Sequence, residues 1–253
     1  MKIKAIHIVF TILFLGLLSC AKDSLNNAPN TTGKGGSMAR FTIVGDFLYI
    51  IDNQNLKVFD ITTPSNPQYL NDYFVGRDIE TIFPNPPYLY IGSTNGMFIY
   101  SITNPAAPEY ISELLHVVSC DPVVTNDSLA FVTLRSGSEC RTNFTSNQLD
   151  IIDIRNKQNP VLLQSYPVEE PYGLGIDSCY LFICHGKSGL GVYDFSNVFD
   201  IHMIKLIPNI ETYDVIPHNK TLFITGPSGF YQYNYANIDS IYFVSQINVF
   251  NRF

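Results

Sequence analysis

The sequence predicts an all-β chain: a β-propeller of about five four-stranded blades, each spanning about 41 residues. Three observations carry this prediction. Apolar segments recur at Phe47–Ile50, Tyr88–Ile91, Leu129–Val132, Tyr180–Ile183 and Thr221–Ile224, and their third residues (Tyr49, Tyr90, Phe131, Phe182 and Phe223) stand 41, 41, 51 and 41 apart. A second anchor (Phe59, Tyr100, Ile152, Tyr193 and Tyr233) follows with spacings of 41, 52, 41 and 40. Both series stretch in the third unit, so a single insertion interrupts a constant repeat. Composition is the third observation. Of 253 residues, 46% are hydrophobic and 13% aromatic, which supplies a core and excludes a disordered chain.

Within a unit the segments are short, aromatic and β-branched, and too brief for helices. A first strand ends near Ile43, Ile82, Val124, Ile176 or Ile216, and the two anchors mark the second and third strands. Asn55, Gly96, Gly189 or Gly229 sits four positions before the second anchor, where a hairpin is expected to need positive φ; Gln148 takes that place in the third unit. Pro64–Pro67, Asn104–Pro108 and Asn156–Pro160 then form proline turns that start a fourth strand. The first unit opens with its inner strand, and the last ends with its outer strand near Ile241–Gln246. Closure is therefore expected from blade-to-blade packing plus the tail Asn248–Phe253. A stacked β-solenoid is the rival architecture, but its coils are usually shorter.

Ahead of the repeats, Met1–Lys4 form a cationic head and Ala5–Leu18 an apolar run too short for a stable membrane span. Residues 1–19 read as a signal peptide. Leu17-Leu18-Ser19-Cys20 resembles the bacterial lipobox, which implies cleavage before Cys20 and lipid attachment to it. The alternative is an ordinary cleavage site with an incidental cysteine. Residues 20–36 are then a lipidated, polar, flexible tether and 37–253 the propeller. Lys22-Asp23 is similar to the surface-export signals of Bacteroidota lipoproteins, so the expected location is the outer membrane, on either its periplasmic or its exposed face. The formal charge of −7 falls to −9 without Lys2 and Lys4 of the leader, which makes nucleic acid a poor partner.

Leu56-Lys-Val-Phe-Asp-Ile61 with Pro64–Pro67, and Leu149-Asp-Ile-Ile-Asp-Ile154 with Asn159-Pro160, resemble the LVIVD-repeat family of bacterial β-propellers. The resemblance extends over residues 37–253. The fourth unit keeps Val192-Tyr-Asp-Phe195 but has Ile201 in place of the turn proline, and the fifth has Ile241. The resemblance implies a fold and an envelope location, not a reaction.

In a propeller, the loops entering the inner strands and those joining second to third strands share one face, where binding residues usually lie. That face collects Asp52, Arg77, Asp78, His116, Asp121, Glu169, Glu170, Tyr172, His185, Lys187 and Glu211. The insertion, Leu134–Asn147, adds Arg135, Glu139, Arg141 and Phe144. Arg77, His116, Arg141, Tyr172, His185 and Glu211 are the candidate ligand-binding residues. Cys120 and Cys140, both on this face, are expected to form a disulfide that pins the insertion. Cys179 and Cys184 flank one strand and are expected to be buried free thiols, with Cys140–Cys184 as the rival pairing.

No catalytic residue, cofactor or metal site is predicted. Gly186-Lys187-Ser188 lacks the preceding glycine of a P-loop, and Cys184, His185, His116 and Cys120 lack zinc spacing. Gly226–Gly229 is a turn rather than a nucleophile elbow. The expected function is a non-enzymatic binding or protein-interaction scaffold, held by its lipid anchor and meeting an envelope protein or a glycan through one propeller face. A structural subunit of an envelope complex is the alternative, favoured by an exposed apolar patch on a blade flank. A glycan-active hydrolase or lyase is a third reading. It requires two carboxylates, Glu169 and Glu170 for example, converging at roughly 5–10 Å.

Overall fold

Each repeat folds into one antiparallel sheet because its four short apolar segments are joined by turns tight enough to pair them in order. The computed structural model describes residues 35–115, 122–136 and 147–249. Blade 1 holds β1 (Phe41–Val44), β2 (Phe47–Ile51), β3 (Asn55–Asp60) and β4 (Gln68–Phe74). Blade 2 holds β5 (Ile79–Asn85), β6 (Tyr88–Ser93), β7 (Gly96–Ser101) and β8 (Glu109–Leu115). Blade 3 holds β9 (Val123–Thr125), β10 (Leu129–Leu134), β11 (Gln148–Asp153) and β12 (Val161–Pro167). Blade 4 holds β13 (Leu174–Asp177), β14 (Tyr180–Cys184), β15 (Leu190–Asp194) and β16 (His202–Ile207). Blade 5 holds β17 (Asp214–His218), β18 (Thr221–Gly226), β19 (Gly229–Asn234) and β20 (Tyr242–Asn248). The predicted five-bladed β-propeller is the observed fold, and each anchor falls on the expected strand.

The anchors explain how the blades stack. Tyr49, Tyr90, Phe131 and Phe182 are fully buried and face the following blade. Opposite them, Leu89 and Ile91, Ala130 and Val132, Leu181 and Ile183, and Leu222 and Ile224 are at most 1% exposed. Burying one such large side chain stabilises the stack by roughly 1.5–3 kcal/mol. Separate apolar clusters thus join blade 1 to 2, 2 to 3, 3 to 4 and 4 to 5. The remaining seam differs. Leu48 and Ile50 of blade 1 and Phe223 of blade 5 are only half-buried, and Gln232 stands where Val58, Ile99, Ile151 and Val192 are buried. Among the described residues, no buried apolar cluster joins blade 5 to blade 1.

What ties the first and last blades is the chain just before β1. The Ser37 hydroxyl donates to Asp214 Oδ1 at 2.8 Å and accepts from the Leu174 amide at 2.8 Å. The Met38 amide donates to Asp214 Oδ2 at 3.3 Å, and the Ala39 carbonyl accepts from the Ile82 amide at 2.9 Å. Residues 37–39 therefore cross between the inner strands of blades 5, 4 and 2. Gly36 and Gly173 flank the Asp214 carboxylate so closely that a Cβ on either would lie 2.0 or 2.2 Å from one of its oxygens. Desolvation pushes the Asp214 carboxyl up, against the Ser37, Met38 and Val215 donors that pull it down. Most of the tail expected to help close the ring, residues 250–253, lies outside the described residues. The described end of the chain extends its own hairpin, with Val249 donating to the Ser228 carbonyl at 3.4 Å.

The turns show why the loss of two prolines leaves the blade intact. After each second anchor, Asp60, Ser101, Asp153, Asp194 or Asn234 accepts the amide two residues on, at 2.7–3.2 Å. The carbonyls of Thr63, Asn104, Asn156, Asn197 and Asn237 then accept the amide three residues on. The Asn197 and Asn237 side chains also accept from Phe199 at 3.1 Å and Asp239 at 2.9 Å where Ile201 and Ile241 replace proline, and Asn156 accepts in the same way from Gln158 at 3.1 Å beside Pro160. Asx hydrogen bonding thus sets the turn, and proline adds to it. The pairing of third and fourth strands shifts register at the second anchor in every blade, a bulge that twists the outer strand. Gly189 must be glycine, since φ is +104° and a Cβ would lie 2.2 Å from the Ile207 carbonyl oxygen. Asn55 departs from expectation and does not take positive φ. The Asp52 carboxylate closes that turn by accepting from the Gln54 and Asn55 amides at 2.8 and 2.7 Å.

The cysteines divide differently from expectation. Cys184 is a free, buried thiol, which excludes the Cys140–Cys184 pairing. Cys179 is disulfide-bonded rather than free. It occupies the half-buried turn between β13 and β14, whereas Cys184 lies in the core between blades 4 and 5. The expected Cys120–Cys140 bridge and the lipid-bearing Cys20 lie outside the described residues.

The turn argument predicts unequal losses. Asn197→Ala, in a blade without the turn proline, should lower the unfolding free energy by about 1 kcal/mol in urea melts. Asn156→Ala should cost clearly less, because Pro160 still fixes its turn. Equal losses would show that the proline does not share the work of the side chain.

Candidate functional site

The loops that enter the inner strands of blades 4 and 5 repeat a short pattern, Glu170-Pro-Tyr172 and Glu211-Thr-Tyr213, with the tyrosines 41 residues apart. Consecutive blades therefore bring the two rings side by side. Their centroids are 5.6 Å apart at 31°. Arg135, at the start of the blade 3 insertion, lays its guanidinium 3.9 Å from the Tyr172 ring centroid. On the far side, the Tyr213 hydroxyl donates to Glu211 Oε1 at 3.3 Å. The result is a continuous row of guanidinium, two phenol rings and a carboxylate.

Backbone bonds fix the row to the scaffold. The Thr133 hydroxyl donates to the Tyr172 carbonyl at 2.7 Å, and the Tyr172 amide donates to the Cys184 carbonyl at 2.8 Å. The Thr212 amide and hydroxyl donate to the Gly186 and Gly189 carbonyls at 2.9 and 2.7 Å. At the base of the insertion, Asn147 Oδ1 accepts from the Ser136 amide at 2.7 Å and its hydroxyl at 2.9 Å. All four side chains of the row remain partly exposed. Desolvation, helped by Glu211, raises the Tyr213 phenol, so it stays a neutral donor. An exposed cation–π pair of this kind contributes about 0.5–1 kcal/mol, enough to order Arg135 without burying it. Chemically, the row offers flat apolar faces between a donor group and an acceptor group.

The candidate residues named from sequence separate into three groups. Tyr172 and Glu211 come together through Tyr213. Arg77 is exposed in the loop between blades 1 and 2, and His116 and Arg141 lie outside the described residues. His185 is 2% exposed and turns inward, which corrects its expected place on the rim. Its Nδ1 faces the Glu169 carbonyl at 2.6 Å and its Nε2 the Tyr193 hydroxyl at 3.0 Å. A carbonyl only accepts, so Nδ1 carries the proton and Nε2 accepts from Tyr193. Tyr213 was missed, although the 41-residue period points to it from Tyr172. Among the described residues, no group of three or more His, Cys, Asp or Glu side chains gathers as a metal site, and no helix is long and apolar enough to cross a membrane.

Burial makes His185 sensitive to acid. Desolvation lowers its pKa, opposed by the Glu169 carbonyl and carboxylate. The unfolded chain, near the ordinary value of about 6.5, takes up the proton first as the pH falls. Stability is thus present above that pH and lost below it. Urea melts from pH 7.5 to 5 should show a decline that flattens in His185→Gln.

A family model described as LVIVD repeat matches residues 35–74, 87–114 and 144–168, in blades 1 to 3. No curated protein matches the chain in sequence. Among solved structures, a functionally unknown protein from Desulfotomaculum acetoxidans is similar with a TM-score of 0.67 and 13% identity, covering 90% of this chain and 75% of that one. BamB from Moraxella catarrhalis gives 0.55 and 13%, covering 79% and 59%. The periplasmic gluconolactonase PpgL of Pseudomonas aeruginosa gives 0.59 and 11%, covering 81% and 68%. The chain thus spans less than two thirds of the length of BamB. These likenesses are of fold alone.

Proposed function

Because the chain is an LVIVD-repeat β-propeller, we propose that it is a non-enzymatic binding module, held at the outer membrane by lipid on Cys20. It captures an envelope protein or glycan through the Arg135–Tyr172–Tyr213–Glu211 row. The observation that carries this reading is the row itself, built from loops on three blades and kept partly exposed. Fixed rings flanked by a donor and an acceptor fit the general form of a recognition surface. The one carboxylate in the row is engaged by Tyr213, an arrangement that favours holding a ligand over cleaving it.

A second reading, a structural subunit of an envelope complex, is supported by a different surface, the flank of blade 5. The outer strand of blade 5 carries no charge and exposes Tyr242, Phe243, Val244 and Ile247 by 50–65%. Such an apolar, uncharged edge is an unusual surface to leave in water.

Photo-crosslinking in the native envelope separates the two. A benzoylphenylalanine at position 213 should give a discrete adduct that Arg135→Ala removes, while one at position 244 should give none. Cys20→Ala should release the chain from the membrane fraction. An adduct formed only from position 244 would favour the structural subunit, and a chain that stays membrane-bound without Cys20 would remove the anchor.

A further inference from the structure

The His185–Tyr193 pair is not isolated. It lies at the base of a cavity of about 360 Å³ in the seam between blades 3 and 4. The walls are largely apolar, formed by Leu149, Val168, Met203 and Leu206 among others, and the remaining polar lining is Tyr166, Glu169, Ser188 and the imidazole of His202. Among the described residues, no lysine or arginine lines it.

Blade 4 departs from its siblings to make this space. At the register where blades 1, 2, 3 and 5 place Lys57, Phe98, Asp150 and Tyr231, blade 4 has Gly191. A Cβ there would lie 2.6 Å from His185 Nε2 and 2.7 Å from the Tyr193 ring. The glycine therefore admits a buried polar pair that a side chain would displace. The histidine is 2% exposed and the tyrosine 8%.

The direction of the hydrogen bonds sets what the cavity can recognise. Nδ1 donates to the Glu169 carbonyl, so the Tyr193 proton goes to Nε2. The phenol oxygen then has only acceptor capacity left for a visitor. Desolvation first, and the nearby Glu169 carboxylate second, push the Tyr193 phenol up to about 12. Both groups disfavour an anion and favour a donor.

We propose that the seam between blades 3 and 4 is a binding site for a small organic ligand with an apolar body and a cationic, hydrogen-bond-donating head, of the alkylammonium class. The apolar walls hold the body, and the Tyr193 oxygen and Glu169 hold the head. The site is independent of the Arg135–Tyr172–Tyr213–Glu211 row and stands whether or not that row binds a partner.

The test is a titration of the full mature chain with hexylammonium, and separately with hexanoate, followed through the His185 imidazole signals in ¹H–¹⁵N NMR spectra. Hexylammonium should shift these signals saturably, and hexanoate should bind at least tenfold more weakly. Tyr193→Phe keeps the ring and removes the acceptor, and should weaken hexylammonium binding about tenfold, the worth of one hydrogen bond to a charged group. Glu169→Gln, an exposed change that leaves the fold alone, should weaken it further. The proposal is overturned if hexylammonium shifts nothing, if the two probes bind equally, or if a folded Tyr193→Phe chain binds as the parent does.

Discussion

The Asp214 carboxylate accepts hydrogen bonds from the chain ahead of the first strand, and through it blade 1 is held to blades 4 and 5. The other seams are joined by apolar clusters, which are additive and tolerant of small changes. The junction at Asp214 is different in kind. It depends on one carboxylate, one hydroxyl and two glycines that leave room for them. Its alternative is an unsatisfied buried polar group, which costs far more than the bonds return. Among the described residues, the join between the first and last blades therefore rests on a small set of contacts with little redundancy.

The repeat was legible because the burial it encodes is local. Each anchor serves the same seam position in its own blade, so the period survives even where Ile201 and Ile241 replace proline. Tyr213 was legible in principle, by adding one period to Tyr172, but only if loops as well as strands are taken to repeat. Ser37 and Asp214 were not legible. They are 177 residues apart and meet only because the ring returns on itself. His185 was misread for a related reason: its sequence position lies on the loop face, while Gly191, six residues later, opens the interior to its ring. The pairing state of Cys179 was misread because strand alternation speaks only to a bond between Cys179 and Cys184, and not to a partner elsewhere.

Function in this fold follows from where the symmetry fails. A perfect repeat would place the same side chain at the same height in every blade and would offer a ligand nothing to distinguish. Two departures matter most. The third unit lengthens and delivers Arg135 to the Tyr172 ring. The fourth unit removes a side chain at Gly191 and gains a buried donor–acceptor pair. One departure adds chemistry to the rim, and the other adds it between blades. Both sit on a paired β-scaffold, so recognition as proposed at either would cost little ordering entropy.

The crossing of residues 37–39 also determines how the molecule bears load. A pull on the chain ahead of residue 35 is transmitted first to the Ser37 hydroxyl, which is bonded to blade 5 on one side and blade 4 on the other. The force enters at the hub of the wheel and is shared between spokes, instead of peeling the first strand from the edge of its own sheet. Bonds loaded together in shear resist better than bonds opened one at a time. A propeller hung from its N-terminal side in this way would keep its blades in register under drag that would unzip a sheet held by its rim.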